Sequence, residues 1–305
     1  MLRRALDTLK IGPDGERHDE NQYLQLIRDI LEYGEEVEGR NGTTKAVFGS
    51  AMTFSLENGT LPLLTTKKVA WKTCLKELLW FIQGCTDNDV LQKQKVRIWD
   101  GNASREFLDS RGLQHLEEGD LGPVYGHQWR HFNAEYKTRY DDYTGKGVDQ
   151  LQYVIDQLKD PEQRSSRRII MSAWNPCQLN EMALPPCHVL CQFNVIGEKL
   201  SCSLYQRSGD VGLGVPFNIA SYSFLTHLLA RHCGLQAHEF VYYLGNTHIY
   251  DDHYEPLQAQ VEKTPYAFPS LSIVNLKDNI NDYILSDFVV EDYSHHDVVK
   301  MEMRK

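Results

Sequence analysis

Apolar residues recur at helical spacing at Tyr23, Leu24, Ile27, Ile30 and Leu31, which predicts an opening helix ending near Gly34. A polar turn over residues 38–44 leads into a strand-like run, Ala46-Val47-Phe48. Thr65 or Thr66 is the expected cap of a strongly apolar helix carrying Trp71, Leu75, Leu78, Leu79 and Ile82, closed by Gly84. Residues 100–146 are polar, glycine-rich and aromatic, and read as long functional loops. Val148, Leu151, Val154, Ile155 and Leu158 mark a further amphipathic helix.

Three strands are then expected at 168–174, 188–196 and 199–206, the last two joined by a tight turn at Gly197-Glu198. A long apolar helix follows over 217–233. After it come a strand at 239–244, a helix from about 251 and a closing strand–helix–strand stretch. Residues 1–20, with Gly12, Pro13 and Gly15 breaking any helix, read as a mobile leader; 21–305 read as one domain. With neither repeat nor linker, the pattern predicts an α+β fold: a mixed sheet with helices packed on it.

Composition narrows the class. A 41% hydrophobic, 24% charged chain of 305 residues is ordinary for a globular protein. It has no apolar run near the roughly 20 residues a membrane span needs. The start, Met1 to Lys10, lacks the apolar centre of a signal peptide, so a cytoplasmic protein is expected. A net charge of −10 argues against broad nucleic-acid binding. The seven cysteines form no Cys-x-x-Cys pair, and the Cys187/Cys191 spacing does not suit a zinc knuckle; reduced thiols and no metal are expected.

The candidate chemistry centres on Ala183-Leu184-Pro185-Pro186-Cys187-His188 and on Tyr205-Gln206-Arg207-Ser208-Gly209-Asp210. A thiol attacks as thiolate, and a guanidinium on the adjoining hairpin strand lowers its pKa, so Cys187 reads as a nucleophile activated by Arg207. Arg40 in its glycine-containing turn, Arg167 with Arg168, and Arg207 with Ser208 are types able to converge on one phosphate; singly, each is better read as a solvated charge. Asn218 offers the donor and acceptor that match O4 and N3–H of uracil, with helix capping as the plain alternative. Glu77 lies in an apolar helix, where burial raises a carboxyl into the range of a general acid or base, and Asp210 is a second candidate. His248 and Tyr250 share a strand face and suit a sugar hydroxyl.

From about residue 22 to 303 the chain resembles the thymidylate synthase family. The likeness is carried by Thr65-Thr66-Lys67-Lys68, Glu77-Leu78-Leu79-Trp80, Ile98-Trp99-Asp100, the stretch from Gly119 to Gly126, Arg167-Arg168-Ile169-Ile170, Leu184 to His188, Tyr205 to Ser208, and Pro216-Phe217-Asn218. The resemblance implies methylation of dUMP by 5,10-methylenetetrahydrofolate, which serves as carbon donor and reductant, with no metal or nicotinamide. It gives Cys187, Glu77, Tyr125, Arg207 and Asp210 catalytic roles. It assigns dUMP to Arg40, Arg167, Arg168, Arg207, Ser208, Gly209, Asp210, Asn218, His248 and Tyr250. The folate wall would be Ile98, Trp99, Asn102, Asp210, Leu213, Gly214 and Phe217, with Lys67 at the glutamate tail and Arg304 in the segment that closes over folate. It further implies a three-layer sandwich that dimerises through its sheet, with Arg167 and Arg168 crossing to the neighbouring subunit.

Three places depart from the family pattern. The phosphate turn, usually Arg-Thr-Gly-x-Gly-Thr, is Arg40-Asn41-Gly42-Thr43-Thr44-Lys45, one residue shorter. Ser294-His295-His296 stands where Pro-His-Pro is usual, and Met303-Arg304-Lys305 where the pattern ends in a small apolar pair. That tail shields the intermediate from water, so a relative releasing 5-hydroxymethyl-dUMP is the alternative reading. A dCMP-specific relative would carry aspartate in place of Asn218. An RNA-binding or structural paralogue would usually have lost the nucleophile or the phosphate arginines.

Overall fold

The computed structural model describes residues 2–12, 15–39 and 41–304; Pro13, Arg40 and Lys305, invoked above, lie outside the described residues. Helix α1 (Leu2–Leu9) precedes the breakers Gly12 and Gly15, so the leader holds a helix after all. It packs through Leu6, and Arg3 pairs with Glu239. Lys10 meets Asp19 at 3.0 Å, and Glu20 is fully buried. Helix α2 (Asn21–Tyr33) then runs to Gly34 as its spacing predicts.

Strands β1 (Glu35–Gly39) and β2 (Gly42–Ser55) form the first hairpin. Helix α3 (Trp71–Ile82) begins after Ala70 with no side-chain cap, so neither Thr65 nor Thr66 caps it. Both threonines instead serve Glu20. Its Oε2 accepts from Thr65 N (2.8 Å) and Oγ1 (2.7 Å), and its Oε1 from Thr66 N (2.8 Å) and Oγ1 (2.6 Å). Four donors satisfy a carboxylate that would otherwise be too costly to bury. Gly84 stops the helix in the left-handed region, at φ +71°.

The stretch expected as loops is partly helical: after α4 (Asn88–Lys93) come α5 (Asp100–Ala103), α6 (Arg105–Ser110) and α7 (Tyr125–His131). At one to two turns each, these helices are too short to show a 3.6-residue period, which is why the pattern hid them. Helix α8 (Gln150–Lys159) follows, then β3 (Ile170–Ser172), β4 (His188–Ile196), β5 (Lys199–Asp210), α9 (Gly214–His232), β6 (Gln236–Tyr250) and α10 (Tyr254–Gln260). The end is a two-stranded sheet, β7 (Ser270–Ile273) with β8 (Phe288–Glu291), joined through 3₁₀ turns where a helix was expected.

The main sheet has the order β1-β2-β6-β5-β4-β3, with β5 and β6 parallel and every other pair antiparallel. It is the mixed sheet expected. Helix α9 packs on β5 and β6, and α3 packs on α9, so the layers run sheet, helix, helix. Alternation along β5 and β6 buries Leu204, Gln206, Tyr242 and Leu244 beneath α9. The opposite face stays open and carries Phe48 (84% exposed), Ile196 (74%), Leu190, Tyr205 and Tyr243. The parallel pairing of β5 with β6 aligns their C-terminal ends, and there the chemistry-bearing residues gather.

Candidate active site

Cys187 immediately precedes β4, on a strand entry that Arg207 braces from β5. Arg207 N donates to Cys187 O (3.0 Å), while its guanidinium donates from Nε to Pro186 O and from Nη2 to Pro185 O, both at 3.0 Å. The plane of Trp174 lies 5.6 Å from the Arg207 charge. On the other side, the Tyr125 hydroxyl accepts from Cys187 N at 2.7 Å and from His188 N at 3.4 Å. Two prolines, one arginine and one tyrosine thus fix the backbone that carries a half-buried thiol. One expectation needs correcting. Burial pushes the Cys187 thiol up, and Arg207 pulls it only part of the way back, because desolvation outweighs a guanidinium already shared with two carbonyls.

Glu77 projects from α3 into an aromatic shelf. It is 6% exposed, and its Oε1 accepts from the Trp99 indole at 2.7 Å. Burial lifts its carboxyl to about 7 against the opposing pull of that indole, which puts it in the working range of an acid–base group. Trp99 stands edge-on to Tyr125 at 6.1 Å, and Phe81 packs 4.8 Å from Tyr125. Glu77 therefore reaches Tyr125 by way of Trp99, whereas Cys187 N bonds to the tyrosine hydroxyl directly.

Beyond Cys187, His188 is buried and pushed down to about 4 by desolvation, against the pull of the neighbouring Asn218, so its ring is neutral. Its ring is tilted against Tyr125 (5.1 Å) and edge-on to Tyr222 (5.3 Å), and its Nδ1 has no partner among the described residues. Sequence reasoning used His188 only as context for the cysteine; its place beside the nucleophile was the available signal. Asn218 lies inside α9, not at its cap, which disposes of the capping alternative. Gln206, also unassigned from the sequence, joins Tyr242 (2.6 Å) to Ser208 O (2.8 Å) beneath this wall.

The parallel register sets Ser208 beside Asn246, Gly209 beside Thr247 and Asp210 beside His248. His248 meets Asn246 Oδ1 at 2.8 Å and lies 5.3 Å from the Tyr250 ring, on the strand face expected. Asn246, His248 and Tyr250, with Asn41 and Gly42, line a cavity of about 280 Å³. Arg167 and Arg168 are exposed at the far edge of the sheet. Ile170 pairs with Gln192, which is five residues from Cys187, or about 16 Å along the strand, and the two arginines lie farther still. One chain does not bring them to Arg207 and Ser208.

Asp210 turns the chain into α9, its Oδ1 accepting from Gly212 N (2.9 Å) and Leu213 N (3.4 Å). Leu213, Gly214 and Phe217 are half-buried behind it. A Cβ on Gly214 would lie 3.7 Å from the Asp210 Cβ and 3.8 Å from the Asn218 Oδ1, so the two side chains flank one spot. A carboxylate beside half-exposed apolar faces suits a flat heterocycle bearing N–H donors, and this part of the site fits a folate. Ile98 and Asn102 are half-buried next to Trp99 in sequence. Lys67 is placed differently from expectation: it is buried, its amine donates to Gly212 O, and burial lowers it to about 8. Tyr23 holds the adjoining Val211 O at 2.9 Å, so two buried side chains fix this loop. Arg304 folds back onto Asp251 and Asp252.

A braced cysteine, a buried carboxyl lifted to about 7 and a buried amide on α9 make this the candidate site of an enzyme. The comparisons make the class specific. A family model described as thymidylate synthase matches residues 21–305, and the chain belongs to that family, whose members use methylenetetrahydrofolate as co-substrate to transfer a one-carbon group. It is 54% identical to a thymidylate synthase of Homo sapiens over 288 residues, covering 94% of this chain and 91% of the human protein. Similarity to a thymidylate synthase of Equine herpesvirus 2 is 52% over 288 residues, covering 98% of the viral protein. A bifunctional dihydrofolate reductase-thymidylate synthase of Zea mays is 53% identical over 290 residues, and the chain spans 55% of its length. Among the described residues no group of three or more His, Cys, Asp or Glu is placed to hold a metal, and no helix is long and apolar enough to cross a membrane.

Proposed function

We propose that the protein converts dUMP to dTMP, and that the observation carrying this reading is Cys187 held between Arg207 and Tyr125, with Glu77, protonatable near neutral pH, bonded to the Trp99 that stands edge-on to that tyrosine. When bound, 5,10-methylenetetrahydrofolate supplies the one-carbon unit and the hydride. The protein's own residues do the rest. Cys187 adds as thiolate to C6 of uracil and leaves from it later, which makes C5 nucleophilic in between. Arg207 stabilises the thiolate and serves the phosphate with Ser208, Gly209 and Arg40. Asn218 reads O4 and N3–H, backed by neutral His188, and His248 with Tyr250 takes the ribose.

Glu77 holds and returns a proton near uracil through water, and Tyr125, whose hydroxyl accepts from Cys187 N, is left able to donate its O–H to the water that takes up the C5 proton. Asp210, Trp99, Ile98, Asn102, Leu213, Gly214 and Phe217 wall the folate, and Lys67 acts by holding Gly212. Incubation with dUMP and methylenetetrahydrofolate should yield dTMP and dihydrofolate in equal amounts. Release of 5-hydroxymethyl-dUMP without dihydrofolate would overturn the proposal. Asn218→Asp should shift preference from dUMP toward dCMP, read as the ratio of kcat/KM values.

The working unit in this reading is a homodimer built on the open sheet face, where Phe48, Leu190, Tyr205 and Tyr243 leave an apolar surface wanting cover. Arg167 and Arg168, stranded on the sheet edge, then serve the neighbour's phosphate site. Mixing inactive Cys187→Ala and Arg168→Ala subunits should restore activity in hybrids; mixtures that stay inactive would tie Arg168 to its own chain. Residues 21–305 act as one catalytic domain with 1–20 appended. Seven unpaired thiols accord with a reducing compartment, the cytoplasm.

A further inference from the structure

The segment Met301–Arg304 is held against the wall of the site by three unlike contacts. Met301 packs at Gly212, where an added Cβ would meet its Sδ at 3.1 Å. The Glu302 carbonyl accepts from Nε2 of the fully buried His253 at 2.8 Å. The Arg304 guanidinium reaches Asp252 Oδ1 at 3.0 Å and Asp251 Oδ1 at 3.3 Å, and stands 5.9 Å from the Tyr250 ring centre.

Asp251 and Asp252 begin the 3₁₀ turn directly after Tyr250, so two adjacent carboxylates sit at the edge of the ribose cavity. Among the described residues, Arg304 is the only lysine or arginine paired with either. The same position is where the sequence departs from a small apolar residue. A charge there and its two counter-charges are a matched set, which a change at Arg304 alone would leave as uncompensated repulsion between neighbouring aspartates.

We propose that Arg304 is a positioning residue: with Asp251 and Asp252 it forms an electrostatic latch that holds Met301–Arg304 against Gly212 and His253. For its consequence the latch rests on the synthase reading, since a closed segment keeps water from the reacting carbon. For its existence it does not. All three side chains are one-third to one-half exposed, so the latch is weak and screened by salt, unlike the buried contacts of Met301 and His253.

The test is amide hydrogen exchange over residues 301–304, without nucleotide or folate, at low salt and at about 0.5 M salt. Arg304→Ala should speed exchange about two- to fivefold at low salt, and Arg304→Lys should not. The pair Asp251→Asn with Asp252→Asn should match Arg304→Ala, and the triple variant should be no faster than either, because one interaction is lost in each. High salt should erase the differences. Unchanged exchange in Arg304→Ala, or effects that add in the triple variant, would overturn the latch. Because this readout needs no turnover, it is decided separately from the dTMP assay on the unaltered chain. If both hold, Arg304→Ala should also raise the KM for methylenetetrahydrofolate and leak some hydroxymethyl product.

Discussion

The surroundings of Cys187 and the segment Met301–Arg304 are held by opposite physics. Around Cys187 the groups are buried and largely uncharged: Glu77 is lifted to about 7, His188 pushed down to about 4 and the thiol pushed up, each by desolvation. Around Arg304 the groups are charged, half in water and paired. Burial gives large, salt-insensitive effects and costs stability; surface charge gives small, tunable ones. A site that must hold protons and a nucleophile ready uses the first. The second suits a segment whose hold can be loosened by salt.

The largest break is at the nucleophile. Cys187→Ala should lower dTMP formation by at least about a thousandfold while dUMP still binds in equilibrium dialysis; retained turnover would remove Cys187 from the mechanism. Glu77→Gln should reduce kcat by about a hundredfold or more. It should also be more stable than the parent at high pH. The buried carboxyl keeps its proton until about pH 7, whereas in the unfolded chain it loses it near 4.5, so the parent loses stability as pH rises between these values. At pH 8 the variant should gain on the order of 1–3 kcal/mol in thermal melts, with the gap closing by pH 4.5. A variant less stable at pH 8 would show that burial does not set this carboxyl.

Tyr125→Phe leaves Cys187 N–H without its 2.7 Å acceptor. Stability should fall by about 1–3 kcal/mol and the rate by about tenfold, and an unchanged melting curve would mean that another group takes up the amide. Smallest is the charged end, where raising salt should loosen Met301–Arg304 only about two- to fivefold and leave the Glu77 pH profile in place.

Much of the fold was readable where periods are long. Helix α2, helix α9 and the β4–β5 hairpin with Gly197 at φ +65° follow from spacing alone. The short helices between residues 88 and 131 did not, since one or two turns carry too few positions to show a period. Thr65 and Thr66 misled for a different reason. A threonine before an apolar helix looks like a cap, and only the chain folding back from residue 20 reveals Glu20 as its true partner. Of the site, Cys187, Arg207 and Glu77 were legible from their local setting, and Arg168's distance from them was not.

The sequence by itself determined which chemistry is present: a cysteine between prolines and an arginine strand, a carboxyl in an apolar helix, an amide just after Pro216-Phe217. Those follow from residue type and neighbours, which act over a few residues. Tertiary structure decided what each group does with its proton and what it faces. It set burial above Arg207 in fixing the thiol, turned Lys67 inward to Gly212, and gave Arg304 two aspartates some fifty residues earlier in the chain. Desolvation and charge pairing depend on distances through space, and the order of residues along the chain does not contain them.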